Sequence, residues 1–183
     1  GESKQVIFNI TPTEAIPNAD VKYYVNDKEN SIVSLSNITN NGLVVTGEKL
    51  GSCVLIAECN GKHSYLQILV EGTVDATSPY IVTNGVSYEL NVGSKKSTTI
   101  TINGVPTNRY ALTEWKSSNS DVIELETVQN SCVMVAKKVG SSKITVTHPD
   151  CEYPAYFMVY SVNEGESATY ITTSQNTIRM GID

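Results

Sequence analysis

Apolar and polar residues alternate along most of the chain with a period of two, which is typical of β-strands. Val6, Phe8 and Ile10 alternate in this way near the start, and residues 98–102 repeat the pattern. No segment carries a sustained 3.6-residue period bounded by helix caps. The pattern therefore predicts an all-β fold with almost no helix.

Four Asn-Gly pairs separate the alternating segments. They lie at residues 41–42, 60–61, 84–85 and 103–104. Asn and Gly both tolerate positive φ, so this dipeptide is a strong hairpin signal. The clearest case is a strand over residues 53–59, a turn at Asn60-Gly61 and a returning strand over residues 65–70.

One stretch organises the second half of the chain, because a single Trp is followed by a polar turn and a new strand. This motif comprises Trp115, Ser117, Ser118, Asn119 and Val122. Further on, Gly140 breaks a strand, and Ile144 and Val146 then alternate onto one face of the next. The order strand, turn, strand is that of half a β-sandwich.

The chain contains an internal repeat. Residues 43–52 align with residues 132–141 without a gap, and Gly51 falls on Gly140, an offset of 140 − 51 = 89 residues. A unit of about 90 residues is the size of one small immunoglobulin-like sandwich. The sequence therefore predicts two tandem sandwiches.

The predicted boundaries of the two units are shifted by one strand. The first domain, residues 1–72, lacks a first strand, whereas the second, residues 78–162, begins with one at residues 80–93. The tail, residues 163–183, resembles that first strand as if a further repeat began. The matching tail residues are Tyr170, Ile171, Ile178 and Met180.

Three interpretations of the tail follow from this shift. The chain is a piece of a longer array, or the tail is donated to the open edge of a neighbouring copy, or it is ordered within its own chain or serves as a linker. A sandwich without its first strand leaves unpaired backbone groups, which an added strand of matching type would satisfy. Donation of this kind is heterologous and builds open fibres unless the rotation closes.

The Trp motif, the run Met134-Val135-Ala136, Gly140 and residues 144–146 together resemble the bacterial immunoglobulin-like group 2 domain family. The resemblance covers about residues 80–162. The first unit matches less closely, because Tyr23 or Tyr24 stands near the Trp position and Gly47 stands where Ala136 does. The resemblance implies stalk, spacer or adhesion modules of bacterial surface proteins, or decorations of phage particles.

Composition narrows the class of partner. The net charge is −6 and the pI is about 4.9, which argues against nucleic acid or an anionic membrane surface as a partner. No apolar run approaches the roughly 18 residues of a membrane span, and no signal peptide is evident. If secreted, the chain is expected to be a mature form or a fragment.

The four cysteines divide into two pairs. Cys53 and Cys59 share one strand, roughly 20 Å apart, so they cannot bridge each other and are expected to be buried free thiols. Cys132 opens one strand and Cys151 follows the end of another at the same end of the sandwich. A disulfide between these two is compatible with the predicted geometry.

Enzymatic chemistry has little support in the sequence. Its two histidines, His63 and His148, form no metal or hydrolase motif, and Glu124 and Glu126 on one strand are explained by an exposed edge. The acidic loop residues Asp27, Glu29 and Asp121 offer oxygen ligands for Ca²⁺, but turn chemistry explains them equally well. No catalytic residue, metal site or cofactor is predicted.

Tyrosine is unusually abundant, with ten Tyr against two Phe. An aromatic platform for a glycan is one interpretation of this excess. Its candidate members are Tyr23, Tyr24, Tyr153, Tyr156 and Tyr160. Tyr156 and Tyr160 share one strand face, and Phe157 and Val159 share the other, so one of the two sets is core.

The sequence thus predicts a non-enzymatic extracellular module of a surface stalk, fibre or filament. Expected partners are copies of itself or adjacent repeats of a longer chain. The alternatives are an adhesin module that binds a host protein or glycan, and a domain at a virion surface.

Overall fold

The structure, a computed structural model, describes residues 1–11, 13, 18–26, 32–71, 79–85, 87–166, 170–173 and 177–182. It divides into two compact units. Unit 1 comprises Gly1–Asp75 together with Thr169–Asp183, and unit 2 comprises Ala76–Ala168. Unit 2 is therefore inserted, in sequence, between two segments of unit 1.

Sixteen strands are numbered in chain order within the described ranges. They are β1 (Ser3–Thr11), β2 (Val21–Val25), β3 (Val33–Thr39), β4 (Gly42–Gly47), β5 (Gly51–Cys59), β6 (Lys62–Glu71), β7 (Tyr80–Thr83), β8 (Ser87–Asn91), β9 (Lys95–Asn103), β10 (Glu114–Ser117), β11 (Ile123–Val128), β12 (Ser131–Ala136), β13 (Gly140–Thr147), β14 (Ala155–Val162), β15 (Tyr170–Thr173) and β16 (Thr177–Gly181). A short 3₁₀ helix, Thr107–Leu112, connects β9 to β10.

Unit 2 has the strand order of an immunoglobulin-like sandwich. One sheet has the order β7-β9-β12-β11 and the other β8-β14-β13-β10. With β7 and β8 as the two halves of the first strand, these are the A-B-E-D and A′-G-F-C sheets of that fold. The second half of the first strand, β8, pairs in parallel with the last strand, β14. The predicted all-β, immunoglobulin-like fold is confirmed by this topology.

Unit 1 has the same order, but its first strand comes from the C-terminal end of the chain. Its sheets are β15-β1-β4-β3 and β16-β6-β5-β2. The strands β15 and β16 occupy the positions that β7 and β8 hold in unit 2. The sequence predicts that the tail, residues 163–183, resembles the first strand of a further repeat, and its strands β15 and β16 take the first-strand position of unit 1 within the same chain.

Each unit has its own apolar core. Phe8, Leu55 and Ile68 are fully buried in unit 1, and Ile102, Met134 and Phe157 are fully buried in unit 2. Alternate residues supply these side chains in β1 and β12, as the period-two pattern predicts, whereas β6 and β14 each contain runs of consecutive buried residues.

The predicted hairpin at Asn60-Gly61 joins β5 to β6. Asn60 has φ 50° and Gly61 has φ 73°, the positive values that a two-residue hairpin of this type needs. β5 and β6 then pair in register from Cys59–Lys62 to Gly51–Val70. One tail strand, β16, is added to the β6 edge of this long hairpin, and the other, β15, is added to β1 of the second sheet.

The topology predicts that removal of the tail affects one unit only. We expect a chain ending at Val162 to lose the cooperative unfolding transition of unit 1, because three buried apolar side chains are removed, each contributing roughly 1.5–3 kcal/mol against a typical total of 5–15 kcal/mol. Unit 2 should unfold unchanged. The chain has one Trp, Trp115 in unit 2, so its emission reports on unit 2 alone while far-UV circular dichroism reports on both. A tail-less chain that keeps both transitions would contradict this assignment.

Candidate assembly site

The tail forms two strands that pair with two different sheets of unit 1. β15 runs antiparallel to β1, with Ile171 opposite Ile10, and β16 runs parallel to β6, with Ile178 opposite Ile68. Backbone groups at the edges of both sheets are thereby satisfied, which is what an added first strand supplies.

Three tail side chains enter the core of unit 1. Ile171 and Met180 are fully buried and Ile178 is 4% exposed. They alternate along the two strands, as the predicted assembly strand requires, and they pack among β1, β5 and β6. Tyr170, the fourth predicted residue, begins β15 opposite Thr11.

An ion pair fixes the tail on the outer face of the same sheet. Arg179 donates two hydrogen bonds to the Glu71 carboxylate, from Nε to Oε2 at 2.9 Å and from Nη2 to Oε1 at 2.8 Å. The two side chains are only 13% and 22% exposed. Bidentate, partly desolvated pairs of this kind are stronger and more geometrically specific than ordinary surface ion pairs.

The N-terminal segment adds further contacts to the end of β16. The Lys4 ammonium donates to the Arg179 carbonyl at 2.6 Å, and the Gly181 N–H donates to Glu2 Oε2 at 2.8 Å. The Glu2 N–H in turn donates to the Gly181 carbonyl at 2.9 Å. The Gly181 N–H, assisted by Lys4, holds the pKa of the Glu2 carboxyl below its usual value.

Unit 2 provides an internal comparison for this site. Its own β8 places Leu90 opposite Ser161, as Met180 lies opposite Val70, so the apolar position is preserved. The polar pair differs, because Glu89 takes the place of Arg179 and Val162 that of Glu71. The Arg179–Glu71 pair therefore distinguishes the tail from the first strand of unit 2.

Sequence reasoning found the strand but missed this ion pair and the contacts of Glu2 and Lys4. The available signal was the reversal of charge between repeat-equivalent positions, Glu89 and Arg179. This charge reversal identifies Glu71 as the partner of Arg179 only once the strand register is known.

The Trp motif has a structural position in unit 2. The Trp115 indole N–H donates to the Gln129 carbonyl at 3.0 Å, and its ring lies edge-on to Phe157 at 6.4 Å. By register, Trp115 faces Val146 as Tyr23 faces Ala57 in unit 1. Tyr23, rather than Tyr24, therefore occupies the Trp position of the first unit.

The polar turn after Trp115 converges on one hydroxyl of β13. Ser142 Oγ lies 2.8 Å from Ser117 Oγ and 3.2 Å from Ser118 Oγ, and it accepts the Asn119 N–H at 3.1 Å. These contacts tie the turn to the neighbouring strand. Their role is structural, because they hold the turn after β10 against β13.

The remaining motif residues pack beneath that turn. Ile144 and Val146 are fully buried and Val122 is nearly so. Gly140 has φ 149°, and a Cβ there would meet Val122 Cγ2 at 3.0 Å, so a side chain at this position would be strained.

All four cysteines are free and buried in the structure. The predicted Cys132–Cys151 bridge is not formed, which corrects that prediction. Cys132 lies on β12 of one sheet, whereas Cys151 lies between β13 and β14 of the other. Lying at the same end of a sandwich is not sufficient for a bridge, because a disulfide needs Cα atoms about 4.4–6.8 Å apart with matching Cβ directions.

The acidic candidates for chemistry are engaged in ion pairs. Glu124 lies 3.2 Å from Lys137, Glu126 lies 2.7 Å from Lys95, and Asp121 lies 3.3 Å from Lys138. Asp27 and Glu29 fall outside the described residues. Within those described, no three His, Cys, Asp or Glu side chains converge to hold a metal ion.

The two histidines lie in different units. His148 is buried in unit 2, where its Nε2 lies 3.0 Å from the Arg109 carbonyl and its Nδ1 accepts the Asp150 N–H at 3.1 Å. With Nδ1 as the acceptor, Nε2 is placed to donate to the Arg109 carbonyl, and the two contacts hold the ring in place. His63 lies on β6 of unit 1, 3.5 Å from Glu58.

The five tyrosines of the predicted platform are divided between the two units. Tyr23 and Tyr24 belong to unit 1 and point to opposite faces of β2, with Tyr23 packed against Phe8 at 5.3 Å. The other three belong to unit 2. There Phe157 and Val159 belong to the core cluster, Tyr160 on the opposite strand face is also fully buried, and Lys143 lies over the ring of Tyr156 at 5.0 Å.

Comparisons with known proteins add no family assignment. No protein-family description matches the sequence, and no curated protein sequence matches it. No helix in the described part of the chain is long and apolar enough to cross a membrane.

Several solved structures are similar at low sequence identity. The D0-D1 domain of intimin is 12% identical with a TM-score of 0.45, covering 87% of this chain and 90% of that one. Domains 4 and 5 of the S-layer protein SbsC are 12% identical with a TM-score of 0.37, covering 78% and 70%. The tandem Ig repeats of Dlar are 10% identical with a TM-score of 0.37, covering 81% and 84%. The chain spans only 21% of the larger SbsC structure of domains 1–6.

Charge reversal at the tail tests the ion pair. We expect Arg179→Glu or Glu71→Arg alone to destabilise unit 1 by about 1–3 kcal/mol, and the double reversal to restore most of that loss. The measurement is a double-mutant cycle on the unit 1 transition. The same cycle with Lys95→Glu and Glu126→Lys on the unit 2 transition is the matched control, because that pair is exposed and should contribute under about 1 kcal/mol. Additive losses in the cycle would show that the pair does not couple.

The buried thiols predict a pH dependence of unit 2. Burial, with Glu126 nearby, raises the pKa of Cys132 to about 12, and burial, with Asp150 nearby, raises the pKa of Cys151 to about 11. Their stabilising contribution is complete below the unfolded pKa of about 8.5 and is lost as pH rises toward 11 and 12. Between pH 9 and 10.5 we expect Cys132→Val to reduce the slope of unfolding free energy against pH by about 1.4 kcal/mol per unit, measured by Trp115 emission. An unchanged slope would contradict it.

Proposed function

We propose that this chain is a non-enzymatic structural module of an extracellular stalk, fibre or filament, of the bacterial immunoglobulin-like group 2 type. The observation that supports the proposal is that the tail forms the first strand of unit 1, although the whole of unit 2 separates the tail from the rest of unit 1 in sequence. The module builds longer assemblies when the tail of one copy fills unit 1 of another.

The contacts made by a donated tail are the same as those made within one chain. Ile171, Ile178 and Met180 would enter the same core, and Arg179 would meet the same carboxylate on the neighbour. Exchange of an identical element therefore costs little in contact energy. The balance between closed chains and assemblies depends mainly on concentration and on the connecting segments.

Donation between copies has a fixed polarity. The donor strand is at the end of the chain and the acceptor edge is in unit 1, so each copy offers one of each. Such a contact is head to tail, and repetition gives a fibre or a closed ring. The Arg179–Glu71 pair favours the tail in unit 1, because Val162 of unit 2 offers no carboxylate at the equivalent position.

A cell-surface or virion-surface location fits the composition. Only 17% of residues are charged, and the strands carry many Ser, Thr and Asn side chains. A hydroxyl-rich, acidic surface stays hydrated, which suits a module exposed to solvent in a longer assembly. Its partners are then neighbouring copies or adjacent repeats of a longer chain.

A mixture of two charge-reversed chains tests donation directly. In Arg179→Glu alone and in Glu71→Arg alone, closure within one chain brings two like charges together. When the two variants are refolded together, each exchanged tail meets a complementary charge on the other copy. We expect light scattering to show mixed dimers or larger assemblies that neither variant forms alone, because the mixture restores the ion pair only between chains.

The controls separate donation from general association. The intact chain should associate when refolded at high concentration, and a chain ending at Val162, which has no tail to donate, should form none of these discrete head-to-tail assemblies. A mixture of Lys95→Glu and Glu126→Lys should not associate, because that pair lies within unit 2. If the tail variants remain monomeric together at all concentrations, the assembly function is wrong.

A further inference from the structure

The outer face of one sheet of unit 1 carries a row of aromatic and apolar side chains. Tyr24 on β2 lies opposite Ile56 on β5, and Ile56 lies opposite Tyr65 on β6. Tyr24 is 42% exposed. Because the two tyrosines are two strands apart, their backbones are separated by about 10 Å across the sheet.

A polar row runs beside the aromatic one. Lys22 lies opposite Glu58, and Glu58 lies opposite His63. The side chains of Glu58 and His63 are each 34% exposed and approach to 3.5 Å. The face therefore carries the Glu58 carboxylate and the side-chain nitrogens of Lys22 and His63. Each of these residues lies two positions along its strand from the aromatic row.

The two rows are held together by contacts between them. The ring of His63 stacks on that of Tyr65, with centroids 6.3 Å apart and planes inclined by 28°. Partial burial, and then the charge and hydrogen bond of Glu58, raise the pKa of Tyr24. The side chains are thus positioned before any ligand arrives, which reduces the entropy cost of binding.

Unit 2 lacks this arrangement at the equivalent positions. The row there reads Lys116, Thr145 and Tyr156, and Lys143 lies over the ring of Tyr156. Thr147 replaces Glu58. A surface feature present in one repeat and absent from the other is not required by the sandwich fold itself.

We propose that this face of unit 1 binds a neutral oligosaccharide. The exposed ring of Tyr24 and the accessible part of the Tyr65 ring can stack on the C–H faces of pyranose rings, while Glu58 accepts hydrogen bonds from sugar hydroxyls and Lys22 donates to them. The opposite charges of Lys22 and Glu58 cancel, so a neutral sugar fits better than an anionic one. A protein partner would favour a desolvated central pocket rather than a flat aromatic row beside charges.

Titration of the intact chain with defined sugars tests the site. The probes are cellotetraose, maltotetraose and mannotetraose, with tetragalacturonate as the anionic counterpart, and the readout is the ring resonances of Tyr24 and Tyr65 in NMR spectra. We expect at least one neutral probe to shift both rings saturably, with a Kd on the order of 1 mM. Tyr24→Ala should weaken binding about tenfold or more, whereas Tyr24→Phe should retain most of it.

The matched control is Tyr156→Ala, which removes the equivalent ring of unit 2 and should leave binding unchanged. The unit 1 unfolding transition shows whether each variant is folded. The inference is overturned if no neutral probe shifts the ring resonances of Tyr24 and Tyr65 at about 20 times the expected Kd. It is equally overturned if tetragalacturonate binds more tightly than all three neutral tetrasaccharides. It is also overturned if Tyr24→Ala abolishes association between copies instead, which would make the face a protein contact. Strand donation is read by mass and not by sugar binding, so the two proposals fail separately.

Discussion

The architecture of unit 1 depends on the strand pairing between its body and the tail. β15 and β16 satisfy the open edges of two sheets at once, and Ile171, Ile178 and Met180 fill the core between them. A sandwich without these strands would expose both backbone edges and a row of apolar side chains. Unit 2 needs no such help, because β7 and β8 precede its body in sequence.

An ion pair distinguishes the tail strand from the first strand of unit 2. Backbone pairing and apolar side chains are common to both units, since Leu90 and Met180 occupy equivalent places. Arg179 and Glu71 differ from their counterparts and are largely screened from water. An ion pair of this kind contributes modestly to stability, but it discriminates between two strands that otherwise fit alike.

Much of the fold followed from the sequence because it is encoded locally. Alternation at β1 and β9 and the turn at Asn60-Gly61 each depend on residues near one another, and the repeat between Gly51 and Gly140 is visible by comparing one part of the sequence with another. The repeat also identified the tail as a first strand. The unit with which the tail pairs could not be predicted from the sequence. Arg179 and Glu71 are 108 residues apart in sequence, and their pairing appears only in the folded register. The Cys132–Cys151 bridge, which the strand ends left possible, is not formed, because the end of a sandwich does not specify the distance between two thiols.

The central claim is that the tail is the first strand of unit 1, and NMR contacts between backbone protons test it most directly. In the intact chain at low concentration we predict cross-strand contacts between Ile178 and Ile68 and between Ile171 and Ile10. The tail amides should also be protected from hydrogen exchange. Absence of these contacts, with tail amides exchanging as freely as those of an unfolded peptide, would contradict the account.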